Sequence, residues 1–315
     1  MMHTTTLSQS QEASFVAPAR ILVATDLTDG DHLVPHAVAQ AKTTGARVTL
    51  VHAVAPAEAL PMEGGYVVRL DPTILDEAAR LQLEKLARRI ELEGVSCDIS
   101  VEFGFAADVI REEAKSVHAT RLIMGSHGRG KWGKLILGSV AEKLLGSISI
   151  PIFVVGPHAL PTDHAVPQRI LHPVSLIGDY RKSLDLALGL ADSYKAELTL
   201  LHVLDRNVEN NNPARTLTWA ENRLMSLIPA TDVRGNIHAQ AVCGRLVEET
   251  LIAAEKTNAD WIVLGVDGNA HLPFKNSKAY EVIASANCCV LTLRHDPHPV
   301  EAINTSPAQF DRVFV

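Results

Sequence analysis

The chain of 315 residues carries 47% hydrophobic and 21% charged residues, which excludes an intrinsically disordered protein and leads us to expect two domains of roughly 150 residues. The net charge of −7 divides at Pro157 as −3 and −4, so bulk charge argues against nucleic-acid binding by either half. No apolar run reaches the roughly 18 residues needed to cross a bilayer, and the start MMHTTTLSQSQEASF has neither a basic region nor an apolar stretch, so a cytoplasmic protein without membrane spans is expected.

After an N-terminal segment expected to be flexible (1–17), ILVAT reads as a first strand with Asp26 at its carboxyl end. RVTLVHAV, CDISVEF, RLIMG and PIFVV follow as further β-branched runs. Amphipathic stretches separate them. In residues 74–93, Leu75, Ala79, Leu83, Leu86 and Ile90 recur at helical spacing, with Glu84, Arg88 and Glu91 toward solvent. Gly45 and Gly94 stand where helix C-caps belong. Strands joined by helical crossovers predict a parallel, doubly wound sheet that binds ligands beyond the carboxyl ends of its strands.

The pattern then repeats. RILVATDLTDGD resembles RILHPVSLIGDY, VTLVHAV resembles LTLLHVL, and residues 103–128 align with residues 243–268. The second copy lacks the insertion PMEGGYVVRLDPT, and the proline-rich stretch between the copies reads as a linker. The expected organisation is a first domain over 18–157, a linker over 158–168, a second domain over 169–295 and a C-terminal extension over 296–315.

After the fourth strand the sequence GSHGRGKWGKLILGS places Gly125 and Gly128 in a loop whose free N–H groups suit an anion. Arg129, Lys131 and Lys134 add positive charge. Gly138 and Ser139 open a helix over 139–147, another site for phosphate. An aspartate at the end of strand one and a phosphate cradle after strand four are the two ends of a nucleotide site.

His52 and His202 recur at equivalent strand positions and read as hydrogen-bonded core histidines rather than metal ligands. Asp108 and Glu248 read as acidic residues complementing helix N-termini. Cys288 and Cys289 read as small hydrophobes at the start of a buried strand, and His295 and His298 as part of a mobile tail.

The spacing Gly125, two residues, Gly128, nine residues, Gly138, Ser139 resembles the signature of the universal stress protein family, in its tandem, ATP-binding form. The resemblance spans nearly the whole chain as two copies. It implies two Rossmann-like α/β domains, each a five-stranded parallel sheet with helices on both faces. It also implies a cytoplasmic stress-response protein whose first domain binds ATP and whose occupancy serves as a regulatory signal to an unidentified protein partner. Asp26 would contact adenine, main-chain groups near Val51 would flank the base, and Gly125, Gly128, Arg129, Gly138 and Ser139 would hold ribose and phosphates. Mg²⁺ could accompany the nucleotide and recruit Asp29 or Asp31. The resemblance further implies pairing of the fifth strands, PIFVV and CVLTL, either in a homodimer or within the chain as an internal pseudo-dimer. The second copy departs from the signature: Ser175 replaces Asp26, and Gly138-Ser139 is opposed by Lys278-Ala279, or by Ser277 if one residue is gapped. No Walker motif or evident catalytic base accompanies the site, so at most weak ATP hydrolysis is expected. A nucleotide-independent interaction scaffold is the alternative reading.

Overall fold

The computed structural model describes residues 14–55, 60–61, 67–68, 72–126, 137–156, 159, 166–176, 180–205, 213–229, 236–266 and 274–295. The first half runs β1 (Arg20–Ala24), α1 (Gly30–Thr44), β2 (Arg47–Val54), a two-residue hairpin pair β3 (Leu60–Pro61) and β4 (Val67–Val68), α2 (Pro72–Leu92), β5 (Cys97–Phe103), α3 (Ala106–Ser116), β6 (Arg121–Gly125), α4 (Ser139–Leu145) and β7 (Ile152–Val155). The second half repeats this as β8 (Arg169–Pro173), α5 (Arg181–Tyr194), β9 (Glu197–Leu204), α6 (Pro213–Ser226), β10 (Ile237–Cys243), α7 (Leu246–Lys256), β11 (Trp261–Val266), α8 (Lys278–Ser285) and β12 (Cys289–Arg294).

The expected α/β architecture is present, and its two five-stranded parallel sheets join into one. The strand order is β10-β9-β8-β11-β12-β7-β6-β1-β2-β5. Within this ten-stranded sheet only the central pair is antiparallel among the described residues: Val290 opposes Val154, Leu291 opposes Phe153 and Thr292 opposes Ile152. The fifth strands thus pair within the chain, removing two exposed strand edges that would otherwise be open to other chains.

Successive side chains of a strand point to opposite faces, so a sheet covered on both sides needs apolar residues at consecutive positions. Ile21 and Val23 enter one core while Leu22 and Ala24 enter the other. Each core continues through the junction, one through Phe153, Trp261 and Leu291, the other through Val154, Ile262 and Val290. The anticipated stripe of α2 is present, with Ala79, Leu83 and Ile90 buried and Glu84, Arg88 and Glu91 exposed. Gly45 caps α1 at φ 71°, where its N–H donates to Ala41 O, and Gly94 turns the chain after α2 at φ 80°.

The two halves also meet through aromatic and polar groups. The Phe153 and Trp261 rings lie 4.8 Å apart and Tyr194 meets Trp261 edge-to-face at 5.4 Å. Arg121 is fully buried, donating to Gln40 Oε1 at 2.8 Å and to Phe15 O. Burial lowers the pKa of this guanidinium and raises that of the neighbouring Tyr194 phenol. Next to Phe15, Val16 packs on Gly189 of α5: a Cβ at Gly189 would lie 2.5 Å from Val16 Cγ2.

The cysteines carry free thiols. Burial pushes Cys288 up to about 12 and Cys289 well above the usual thiol range, so both stay protonated and Cys289 packs as a small apolar residue at the start of β12. His295 corrects the reading of a mobile tail. It is buried and its N–H donates to Val266 O at 2.9 Å, continuing the pairing of β12 with β11. His298 and the remaining extension lie outside the described residues. No helix among the described residues is long and apolar enough to cross a membrane.

Candidate functional site

In the first half β1 leads through α1 to β2 on one side, whereas β6 lies on its other side, so the direction of winding reverses between β1 and β6. Such a reversal opens a crevice at the carboxyl ends of the strands, because the connecting helices diverge to opposite faces. Ala24 pairs with Val51 on one side and Met124 on the other. Asp26 follows Ala24 by two residues and Gly125 follows Met124 by one. The topology therefore gathers Asp26, Val51 and Gly125 at one edge of three adjacent strands.

Local hydrogen bonds fix the turn after β1. Thr28 donates from its N–H and its hydroxyl to Asp26 Oδ1, at 2.8 and 2.6 Å, an arrangement in which a short acidic side chain closes a turn on the following backbone. Leu27 takes φ 74°, an uncommon value for a branched residue, as its N–H donates to Thr25 Oγ1 at 3.0 Å. Thr25 Oγ1 in turn donates to Asp29 Oδ1 at 2.5 Å. Asp29 is buried, and desolvation above all, with the Asp26 charge adding to it, raises its pKa to about 6. Val51 is buried and its carbonyl accepts the Thr25 N–H at 3.1 Å.

The described parts of the glycine loop are its two ends. Ser126 N–H donates to Val155 O at 3.0 Å, and Gly138 N–H donates to Ser126 O at 2.9 Å, drawing the ends together beside β6. Gly138 is the N-cap of α4 and Ser139, its first residue, is exposed. His127, Gly128, Arg129, Lys131 and Lys134 lie outside the described residues. The carboxylates considered for magnesium are otherwise engaged: Asp29 by Thr25, and Asp31 by Arg89 at 2.7 Å. Among the described residues no group of three His, Cys, Asp or Glu side chains is placed to hold a metal ion.

The same frame recurs in the second half with different side chains. Val174 N–H donates to Leu201 O at 2.8 Å, matching Thr25 and Val51. His202 Nδ1 meets Val174 O at 2.8 Å, as His52 Nδ1 meets Thr25 O at 2.9 Å, so this pair of histidines ties the second strand to the end of the first in each copy. Ser277 is the N-cap of α8 with ψ 149°, matching Gly138 with ψ 150°. The gapped alignment is therefore the structural one, and Lys278 takes the place of Ser139. The Ser277 hydroxyl accepts the Tyr280 N–H at 3.1 Å, a side-chain cap that a glycine cannot provide.

Sequence reasoning missed two features. The Thr25–Asp29 bond had a four-residue spacing as its signal. The contact between Leu137 and Tyr280, in which the Leu137 N–H donates to the tyrosine oxygen at 3.2 Å, had no local signal because it depends on how the halves dock.

Comparison with known proteins follows this division. The model of the universal stress protein family matches residues 19–156 and 167–294. A universal stress protein of Methanocaldococcus jannaschii is 30% identical over 139 residues, 43% of this chain and 81% of that protein. A stress response protein of Bacillus subtilis is 27% identical over 160 residues, 43% of this chain and 96% of that protein. Among solved structures, a universal stress protein from Archaeoglobus fulgidus superposes with a TM-score of 0.68 at 20% identity, covering 89% of this chain and 98% of that one. That likeness is one of fold.

Proposed function

Because the chain belongs to the universal stress protein family through both of its halves, we propose that it acts in the cellular stress response by binding ATP in its first domain, with occupancy as the regulatory signal. The observation that carries this reading is the placement of Asp26 just past the end of β1 and of Gly125 at the end of the adjacent β6, at one crevice, with Gly138 tied to Ser126 beside it. Asp26 offers a carboxylate to the adenine amino group. The glycine loop that Ser126 and Gly138 bracket offers backbone to ribose and phosphates. Asp29 is buried against Thr25 and Asp31 is ion-paired with Arg89, so the proposal assigns the protein no carboxylate on the metal. It also includes no turnover: the site is read as one that binds and reports.

The test is to extract and identify any nucleotide retained through purification, then to record thermal unfolding with added ATP. A stabilisation seen in the native chain and in Ser175→Ala, and lost in Asp26→Ala, is expected. Absence of retained nucleotide together with no stabilisation at millimolar ATP would leave an interaction scaffold as the better account.

A further inference from the structure

The second half holds a cavity of 420 Å³ at the carboxyl ends of β8, β9 and β11, closed on one side by the start of α8. Its volume lies within the range of small-molecule sites. Two of its walls have changed from apolar to polar relative to the first copy. Thr250, the fifth residue of α7, takes the place of the buried Ile110, the fifth residue of α3. Ser183, twelve residues before the left-handed Lys195, takes the place of the buried Leu33, twelve before Gly45. Thr250 is fully buried, lines the cavity, and its hydroxyl has no hydrogen-bond partner among the described residues. A buried hydroxyl left so is destabilising relative to the methyl group it could have been, which is a reason to look for what it binds.

Polar atoms converge elsewhere in the same space. A Cβ at Gly265 would lie 2.3 Å from His295 Nε2 and 3.0 Å from Ser183 Oγ, so both reach over the backbone at the end of β11. Lys278, at the first position of α8, is the one Lys, Arg, Asp or Glu among the described lining residues. Relative to the first copy, the crevice has lost the Asp26 carboxylate to Ser175 and exchanged the Ser139 hydroxyl for an ammonium group. At these two positions, one negative charge fewer and one positive charge more disfavour the adenine amino group and favour an oxyanion beside Lys278.

We propose that this cavity is a second ligand site, taking a small hydroxylated metabolite whose carboxylate or phosphate meets Lys278 and whose hydroxyls bond to Thr250 and Ser183, and not taking a nucleotide. It stands independently of the first-domain site.

Calorimetric titration of the full chain with glycerol 3-phosphate and, separately, with glycerate tests this and distinguishes the two oxyanions. Saturable binding of one probe is expected, weakened roughly fivefold by Thr250→Val and about tenfold by Lys278→Ala, and unchanged in Asp26→Ala. The ligand-free Thr250→Val protein should melt at a higher temperature than the native chain. No binding of either probe up to about 10 mM, a range corresponding to negligible affinity, would overturn the proposal. So would binding indifferent to Thr250→Val and Lys278→Ala, or displacement of the probe by ATP in the Asp26→Ala chain. Because Lys278 is exposed, its variant remains informative if a change at Thr250 perturbs folding.

Discussion

The Leu137 N–H of the first half donates to the Tyr280 hydroxyl oxygen of the second, 3.2 Å away in a buried setting. Leu137 immediately precedes the N-cap of α4, and Tyr280 lies in the first turn of α8, so the two corresponding helices are coupled where each begins. Tyr280 is also steadied by Phe274, with ring centroids 6.1 Å apart. Tyr280→Phe keeps the ring and deletes the acceptor, leaving a buried N–H without its bond. We expect a loss of about 1–2 kcal/mol in urea denaturation, together with weaker ATP binding, because Gly138 loses the contact that fixes its neighbour. Unchanged ATP affinity would show that the halves are joined there without communicating.

Asp29 should impose a pH dependence. Its pKa rises from 3.8 to about 6 on folding, chiefly through burial. Between those values the folded chain holds a proton that the unfolded chain has released. Stability from this group is therefore lost as pH rises from about 4 to 6, and above 6 the buried carboxylate opposes folding by on the order of 3 kcal/mol. Asp29→Asn retains an acceptor for Thr25. Its stability should match the native chain near pH 4, exceed it increasingly through pH 6, and keep that advantage to pH 8. Denaturant unfolding across this range checks the sign.

Val16 and Gly189 give a test of how the N-terminal segment is seated. Alanine at an interior helical position is favoured over glycine by up to about 1 kcal/mol, but a Cβ at Gly189 would meet Val16 Cγ2 at 2.5 Å. Gly189→Ala should destabilise the native chain and stabilise a Val16→Ala chain. A double-mutant cycle by thermal unfolding reads that reversal.

Much of the fold was legible because its determinants are local. Consecutive apolar residues in ILVA and RLIM require burial on both faces, and the stripe through Ala79, Leu83, Ala87 and Ile90, at steps of four, four and three, requires a helix. Asp26 and Gly125 could be placed at strand ends for the same reason, and the topology then makes them neighbours. The pairing of β7 with β12 followed only from the resemblance, since neither strand carries a local mark of its antiparallel partner. His295 was misplaced because a histidine before a proline-rich stretch looks like solvent-exposed chain, whereas the main-chain pairing with Val266 carries it into the interior. Thr250 passed unnoticed because a threonine on an amphipathic helix has no sequence mark of being buried; the missing partner is a fact of packing.

The account rests most on one nucleotide site per chain, in the first half. Calorimetric titration of ATP, with and without Mg²⁺, into the native protein and into folded Asp26→Ala and Gly138→Lys variants measures it directly. We predict binding near one ATP per chain, abolished in both variants and changed little by Mg²⁺ at the protein's own carboxylates, as judged by Asp31→Asn. Two equivalents per chain, or binding that survives Asp26→Ala, would contradict the assignment.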